Sequence, residues 1–379
     1  MIVLFVDHAS GLGGAERSLL LLLAHLDRAV VQPELATVGG PVADAAVALG
    51  VPVHHVAMPR LRRSATVGVD VWHGANALAD VALRRGARLI HANTVRAALY
   101  SALAARIAGI PWLWHMRDFW LSETEPSHGG LDGMLKRLLG RSALRVVANS
   151  RAVAAHLPTA STVIHNGIDL ATFDPSQEGC AFRQQWAIPP DAPLVGMVGR
   201  LRPWKGQDQF LRMGAWIAAR RPDVRFVIVG GNPLHEEANR YTKELRRLAE
   251  SVGLRDRLTF TGQLDDVRPA LAAMQLMVHA GQPEPFGLVT VEAMAMAKPV
   301  VAFRHGATPE LIEDGISGLL AAPNDGGALA RHVLALLNDD AQRERLGRAA
   351  RARAERYFDI ERTVREMEAL YPQILEKKQ

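Results

Sequence analysis

Short runs of apolar and β-branched residues alternate along this chain with longer stretches whose apolar positions recur at helical spacing, and the alternation runs through twice. In the first half it predicts strands near 2–7, 34–38, 51–57, 88–92, 112–116, 145–149 and 162–165. In the second half it predicts them near 194–199, 224–230, 258–261, 276–279, 299–303 and 318–321. The intervals read as helices, for example 236–252 and 289–297, and Leu19–Ala24 reads as part of a buried helix. Strands that are apolar throughout and separated by helices belong to parallel sheets covered on both faces. The expected class is therefore α/β, with two Rossmann-like doubly wound domains.

Residues 169–193 interrupt the pattern with a stretch rich in Pro, Asp and Gln, which puts a boundary near 175 and domains at 1–174 and 175–356. From Ala341 onward Arg, Glu and Ala recur at helical spacing, so the chain ends in helices. Two such domains joined by a linker place a cleft between the carboxyl ends of two sets of strands, where open α/β sheets bind ligands.

Composition narrows the picture. The 379 residues are 49% hydrophobic and 22% charged, with 44 basic against 39 acidic residues for a net charge of +5. That suits a packed enzyme-sized chain with a mild bias toward anionic partners. A single cysteine, Cys180, excludes an intramolecular disulfide framework and a cysteine-only zinc site, so a cytoplasmic protein is expected. No apolar run approaches the roughly 20 residues of a membrane span, and the chain opens on an apolar strand with no basic leader, so neither a span nor a signal peptide is expected. A nucleic-acid-binding protein would crowd basic residues on one element with aromatics between them, and no such interleaving is present. One segment, 131–145, sets Leu131, Leu135, Leu138 and Leu139 among Lys136, Arg137, Arg141 and Arg145. It reads first as a core-packed helix with a solvated back, and second as a helix that touches an anionic membrane surface.

The chemistry should lie at the strand ends. After the first strand come Gly11, Gly13 and Gly14, but a dinucleotide fingerprint beginning at Gly11 needs glycine where Glu16 stands, so a nicotinamide site is excluded on spacing. After the first strand of the second half come Arg200 and Lys205, a planar fork and a mobile ammonium that can jointly hold a diphosphate. Residues 281–295 run from a strand through a Pro-braced loop into a helix, so the amides of Phe286, Gly287, Leu288 and Val289 face an anion. Glu284 and Glu292 flank that start; carboxylates repel phosphate but accept from sugar hydroxyls. Each of these also has a plain reading, as solvated loop residues or helix-dipole partners.

Together, Gly13-Gly14-Ala15-Glu16, Asn166-Gly167-Ile168-Asp169, Gly199-Arg200 with Lys205-Gly206, and Glu284-Pro285-Phe286-Gly287 with Glu292 resemble the retaining glycosyltransferases of family 4, which have the GT-B fold. The resemblance covers essentially the whole chain in order, and the glutamate pair around Pro-Phe-Gly is its specific part. It implies that Arg200 and Lys205 hold the nucleotide diphosphate with the amides at 286–289, that Glu292 meets the ribose hydroxyls and Glu284 the donor sugar, and that Gly13 and Gly14 close over both. The base would lie near Gly262, Leu264 and Val267. His115, at the end of a strand, would contact the transferred sugar, with Asp118 orienting it, receiving an acceptor proton or capping a helix. The last helix, 357–379, would cross back to the first domain.

The expected function is transfer of a hexosyl group from a nucleotide sugar, UDP-sugars being commonest in the family, to a hydroxyl acceptor. The donor is a co-substrate and no cofactor is implied. No Asp-x-Asp motif precedes a strand end, so no metal is expected: two cations and helix amides can stabilise the leaving diphosphate alone. The alternatives are a nucleotide-sugar epimerase of the same fold, which lacks the glutamate motif, and a non-catalytic binder of anionic surfaces.

Overall fold

Runs such as Val3-Leu4-Phe5-Val6 offer no polar face to water and must be covered on both sides. In the computed structural model, which describes residues 1–9, 11–59, 67–120, 129–231 and 236–376, they are. The described residues form thirteen strands. The first seven are β1 (Ile2–Asp7), β2 (Gln32–Thr37), β3 (Val53–His55), β4 (Leu89–Ala92), β5 (Trp112–Met116), β6 (Arg145–Ala148) and β7 (Thr162–Val163). They make a parallel sheet in the order β3-β2-β1-β4-β5-β6-β7. The next six are β8 (Leu194–Val198), β9 (Arg225–Val229), β10 (Leu258–Gly262), β11 (Leu276–His279), β12 (Val300–Phe303) and β13 (Gly318–Ala321). They make a second parallel sheet in the order β10-β9-β8-β11-β12-β13. Both are doubly wound α/β sheets, and in each the order reverses at one point, between β1 and β4 and between β8 and β11.

The chain divides into two compact units, Met1–Ile168 with Asp359–Gln379, and Asp169–Phe358. In the first, one face of the sheet packs on the helices 67–85 and 95–108 through residues such as Leu78, Ala104 and Trp114. The other face packs on the opening helix Gly14–His25 and the last helix Ile360–Glu376, through Phe5, Leu19, Leu23, Met367 and Tyr371. In the second unit, Phe210, Ile217, Phe226, Val278 and Val333 build the corresponding core.

The helix Gly129–Ser142 differs from expectation. Lys136 is not on its solvated side but 2% exposed, paired with Asp132 at 2.7 Å and donating to the Phe119 carbonyl. A buried ammonium is tolerable only when paired and hydrogen-bonded, which these two partners accomplish. The outward side instead carries Leu131, Met134 and Leu138, each at least half exposed, beside exposed Arg137 and Arg141.

Candidate functional site

At the reversal in the second sheet, the chain leaves β8 through Gly199-Arg200 into a short 3-10 turn, Pro203–Lys205, and leaves β11 through residues 280–287. The two loops lie backbone to backbone. Gly206 sits at φ 78°, and a β-carbon there would fall 2.0 Å from the Ala280 carbonyl oxygen, so only glycine fits. The Gln282 amide donates to the Trp204 carbonyl at 2.7 Å, and the Gln207 side-chain amide holds the Arg200 carbonyl at 2.9 Å.

This packing brings Lys205 onto Glu284. The ammonium donates to Glu284 Oε1 while lying 4.2 Å from the centre of the Trp204 ring, and His279 Nε2 is 3.3 Å from the same oxygen. Glu284 is buried. Burial by itself would raise its pKa, but the charge of Lys205 and the hydrogen bond from His279 outweigh it and hold the carboxyl well below the usual carboxylate range. Arg200, by contrast, is exposed.

Phe286 points away from this cluster, buried and edge-on to Phe358 at 6.0 Å, and so anchors the loop while its amide stays at the helix start. Gly287, at φ 96°, caps the helix Leu288–Ala295, whose first turn presents Leu288 and Val289 amides, with Glu292 buried just beyond. Gly262 ends β10, which β9 separates from β8, and Leu264 and Val267 follow it. The fold therefore assembles Arg200, Lys205, Glu284 and the helix start around one strand reversal, with the Gly262 loop on its flank.

The reversal in the first sheet holds a different kind of cluster. The Gly13 amide donates to Glu16 Oε2 at 2.8 Å, so the glutamate that breaks the dinucleotide pattern is a helix-capping residue. Gly14 is the exposed first residue of that helix. At the end of β1, Asp7 is fully buried and accepts from the Asn93 side chain at 2.7 Å. Arg117 donates through Nε to Asn93 Oδ1 at 2.6 Å and through Nη1 to Asn166 Oδ1. Its Nη2 is 3.3 Å from His115 Nδ1, which is also 3.3 Å from His91 Nε2; His91 Nδ1 in turn is 3.0 Å from the Tyr371 hydroxyl.

Burial, and after it the charge of Glu16, pushes Asp7 up to about 7 against the pull of the Ala9 amide, Asn93 and Arg117. Burial pushes Arg117 down to about 10, and burial with the nearby guanidinium pushes His91 and His115 well below the ordinary histidine value. His115 Nε2 is enclosed and has no hydrogen-bond partner among the described residues. A buried donor left so costs about 1–3 kcal/mol.

Asp118 accepts from the Phe119 amide at 2.7 Å. The sequence offers residues 60–67 and 119–133 of the first half as loops that could bind the acceptor, and of these 60–66 and 121–128 lie outside the described residues. From the sequence, His91 and His279 read as strand-end histidines with no role, and nothing there assigned a role to Asp7, Asn93, Arg117 or Tyr371. The available signal was that Asp7, His91 and His279 lie at the carboxyl ends of β1, β4 and β11, the strands that flank the two reversals.

Residues 181–353 match the family Glycosyl transferases group 1, and residues 13–167 match the Glycosyl transferase 4-like domain. The chain is 31% identical over 265 residues to the lipopolysaccharide core biosynthesis mannosyltransferase LpsB of Rhizobium meliloti, spanning 69% of this chain and 73% of that one. It is 35% identical over 244 residues to a D-inositol 3-phosphate glycosyltransferase of Salinispora tropica, spanning 60% of this chain and half of that protein. Among solved structures it resembles Anabaena Alr3699/HepE in complex with UDP-glucose, with a TM-score of 0.84, 28% identity, and 98% of this chain and all of that one covered.

Proposed function

The chain belongs to the GT-B glycosyltransferases of the family 4 type, and on that premise we propose that it moves a hexosyl group from a UDP-sugar to a hydroxyl acceptor with retention of anomeric configuration. The observation that carries the reading is the joining of Lys205 to Glu284 beside Arg200 and a helix start at the strand reversal of the second sheet. UDP as the carrier is supported by the UDP-glucose complex of the solved neighbour, which matches this chain along its whole length.

As the anomeric bond breaks, negative charge grows on the leaving diphosphate. Arg200, Lys205 and the amides of residues 286–289 meet that charge more strongly in the transition state than in the ground state, which is what accelerates the step. Lys205 has three N–H donors, so it can serve a phosphate oxygen while still holding Glu284. Glu284, kept ionised, accepts from hydroxyls of the donor sugar, and Glu292 from the ribose. The leaving phosphate oxygen takes the acceptor's proton. No metal is assigned a part: the two cations and the helix amides are the groups given the positive charge to supply.

The acceptor side belongs to the first unit, with His115 against the transferred sugar. Leu131, Met134 and Leu138, flanked by Arg137 and Arg141, suit shallow contact with an anionic lipid surface, which would bring a lipid-linked acceptor to the enzyme. Among the described residues no helix is long and apolar enough to cross a membrane.

Thermal shifts against UDP, GDP and ADP, followed by hydrolysis of the matching donors, test the donor assignment. UDP should stabilise the protein and UDP-glucose should be cleaved; stabilisation by none of the three would overturn the reading. The anomeric proton coupling of the product reports retention or inversion. Sedimentation with vesicles with and without anionic lipid, for wild type and Leu138→Ser, tests the surface contact, and equal recovery with both vesicle types would remove it.

A further inference from the structure

The cluster in the first unit has a directionality that follows from one residue. A guanidinium only donates, so His115 Nδ1, 3.3 Å from Arg117 Nη2, must present a lone pair. The proton of this imidazole therefore sits on Nε2. His91 Nε2 faces the same Nδ1 at 3.3 Å and must donate to it, which leaves His91 Nδ1 as the acceptor for the Tyr371 hydroxyl at 3.0 Å. Arg117 cannot turn away, because Asn93 and Asn166 hold its other nitrogens. Every bond then points toward His115, and the chain of donors runs from the last helix through β4 to β5.

We propose that Arg117 is the positioning residue that locks His115 as the neutral Nε2–H tautomer, with His91 and Tyr371 aligned behind it, so that it meets the donor sugar as a fixed hydrogen-bond donor and not as a base. This rests on the reading of His115 as a group that faces the transferred sugar. Two further observations agree. His115 Nε2 is buried with no partner among the described residues, so a ligand oxygen there would satisfy it. A proton added at Nδ1 would face the guanidinium, and burial together with that charge keeps both histidines neutral at pH 7, while burial keeps the Tyr371 phenol protonated.

The test uses the full chain labelled with 15N-histidine, the His115 resonances being assigned by their loss in His115→Gln. Long-range 1H–15N correlations should show Nε2–H at His115 in wild type and in Arg117→Lys, and mixed tautomers in Arg117→Met. Tyr371→Phe should leave both tautomers as in wild type, because the His91 Nε2–H is set by the lone pair of His115; a changed His115 tautomer there would show that the direction is set from Tyr371 and not from Arg117, and would overturn the proposal. In UDP-glucose hydrolysis, His115→Gln, whose amide N–H falls near the position of Nε2–H, should stay within about 10-fold of wild-type kcat, whereas His115→Ala should lose about 100-fold. Affinity for UDP should hold in both.

A wild-type Nδ1–H pattern, or His115→Gln as slow as His115→Ala, overturns the proposal. Absence of UDP binding by the wild type overturns the donor reading instead, and the tautomer pattern is still readable in that case. If Arg117→Met does not fold, the wild-type spectrum and the His115→Gln kinetics still decide.

Discussion

The two strand reversals share a topology and solve opposite electrostatic problems. At β8/β11 a buried carboxylate is kept charged: Glu284 is held ionised by Lys205 and His279, and exposed Arg200 adds a second cation nearby. At β1/β4 burial drives the groups toward neutrality: Asp7 is pushed up to about 7 and both histidines are kept uncharged, with Arg117 as a half-buried cation. Burial acts on both sites. The difference is whether an ammonium lies in contact with the carboxylate or an amide does: Lys205 touches Glu284, whereas Asp7 meets Asn93, with the nearby Glu16 adding like charge. On the proposed reading, one site would meet a developing charge and the other would present a fixed neutral polarity.

The largest effect is expected from breaking the charged site. Lys205→Ala should lower kcat for donor hydrolysis about 100–1000-fold. It should also destabilise the protein by about 3–5 kcal/mol in urea titration, because it strands a buried carboxylate. A loss of rate without loss of stability would mean that Glu284 does not depend on this ammonium.

The neutral site predicts a pH dependence. Between the ordinary carboxylate pKa and about 7, native Asp7 holds a proton that the unfolded chain releases, so its contribution is full in acid and is lost as pH rises through 7. Glu284 runs the other way: its contribution is present above the ordinary carboxylate pKa and is lost on acidification. Urea midpoints from pH 5 to 7 should show Asp7→Asn gaining about 2–3 kcal/mol relative to wild type across that range. A constant difference would show that Asp7 is ionised throughout.

Arg200→Ala sharpens the contrast at the smallest scale. The residue is exposed, so stability should change by no more than about 0.5 kcal/mol, while the Kd for UDP should rise about 10-fold, the worth of one hydrogen bond to a charged group. Calorimetric titration measures it, and an unchanged Kd would detach Arg200 from the diphosphate.

The helix Gly129–Ser142 shows where reading from spacing ends. Its leucines recur at helical spacing, yet Lys136 faces inward and Leu131 and Leu138 face out. A pattern of types sets Asp132 one turn before Lys136, but it cannot say that the pair will be buried with the Phe119 carbonyl there to receive the ammonium.

The central strands, such as β1, β8, β11 and β12, were legible because a strand buried on both faces must be apolar along its whole length, a property of consecutive residues; edge strands such as β3 and β10, only partly buried, were legible from β-branched and aromatic residues and from their place in the alternation. The placing of Arg200, Lys205, Glu284 and Glu292 at strand ends and a helix start was legible for a related reason: strand ends, glycines and Pro-braced turns are local signals. What only the tertiary structure decided is which groups touch. Lys205 meets Glu284 because Gly206 admits the Ala280 carbonyl, and His115 meets Arg117 and His91, with a tyrosine 280 positions beyond His91 behind them. Protonation states follow from those contacts, since a carboxyl or an imidazole takes its charge from burial and neighbours, and neighbours distant in sequence exist only once the sheets have formed.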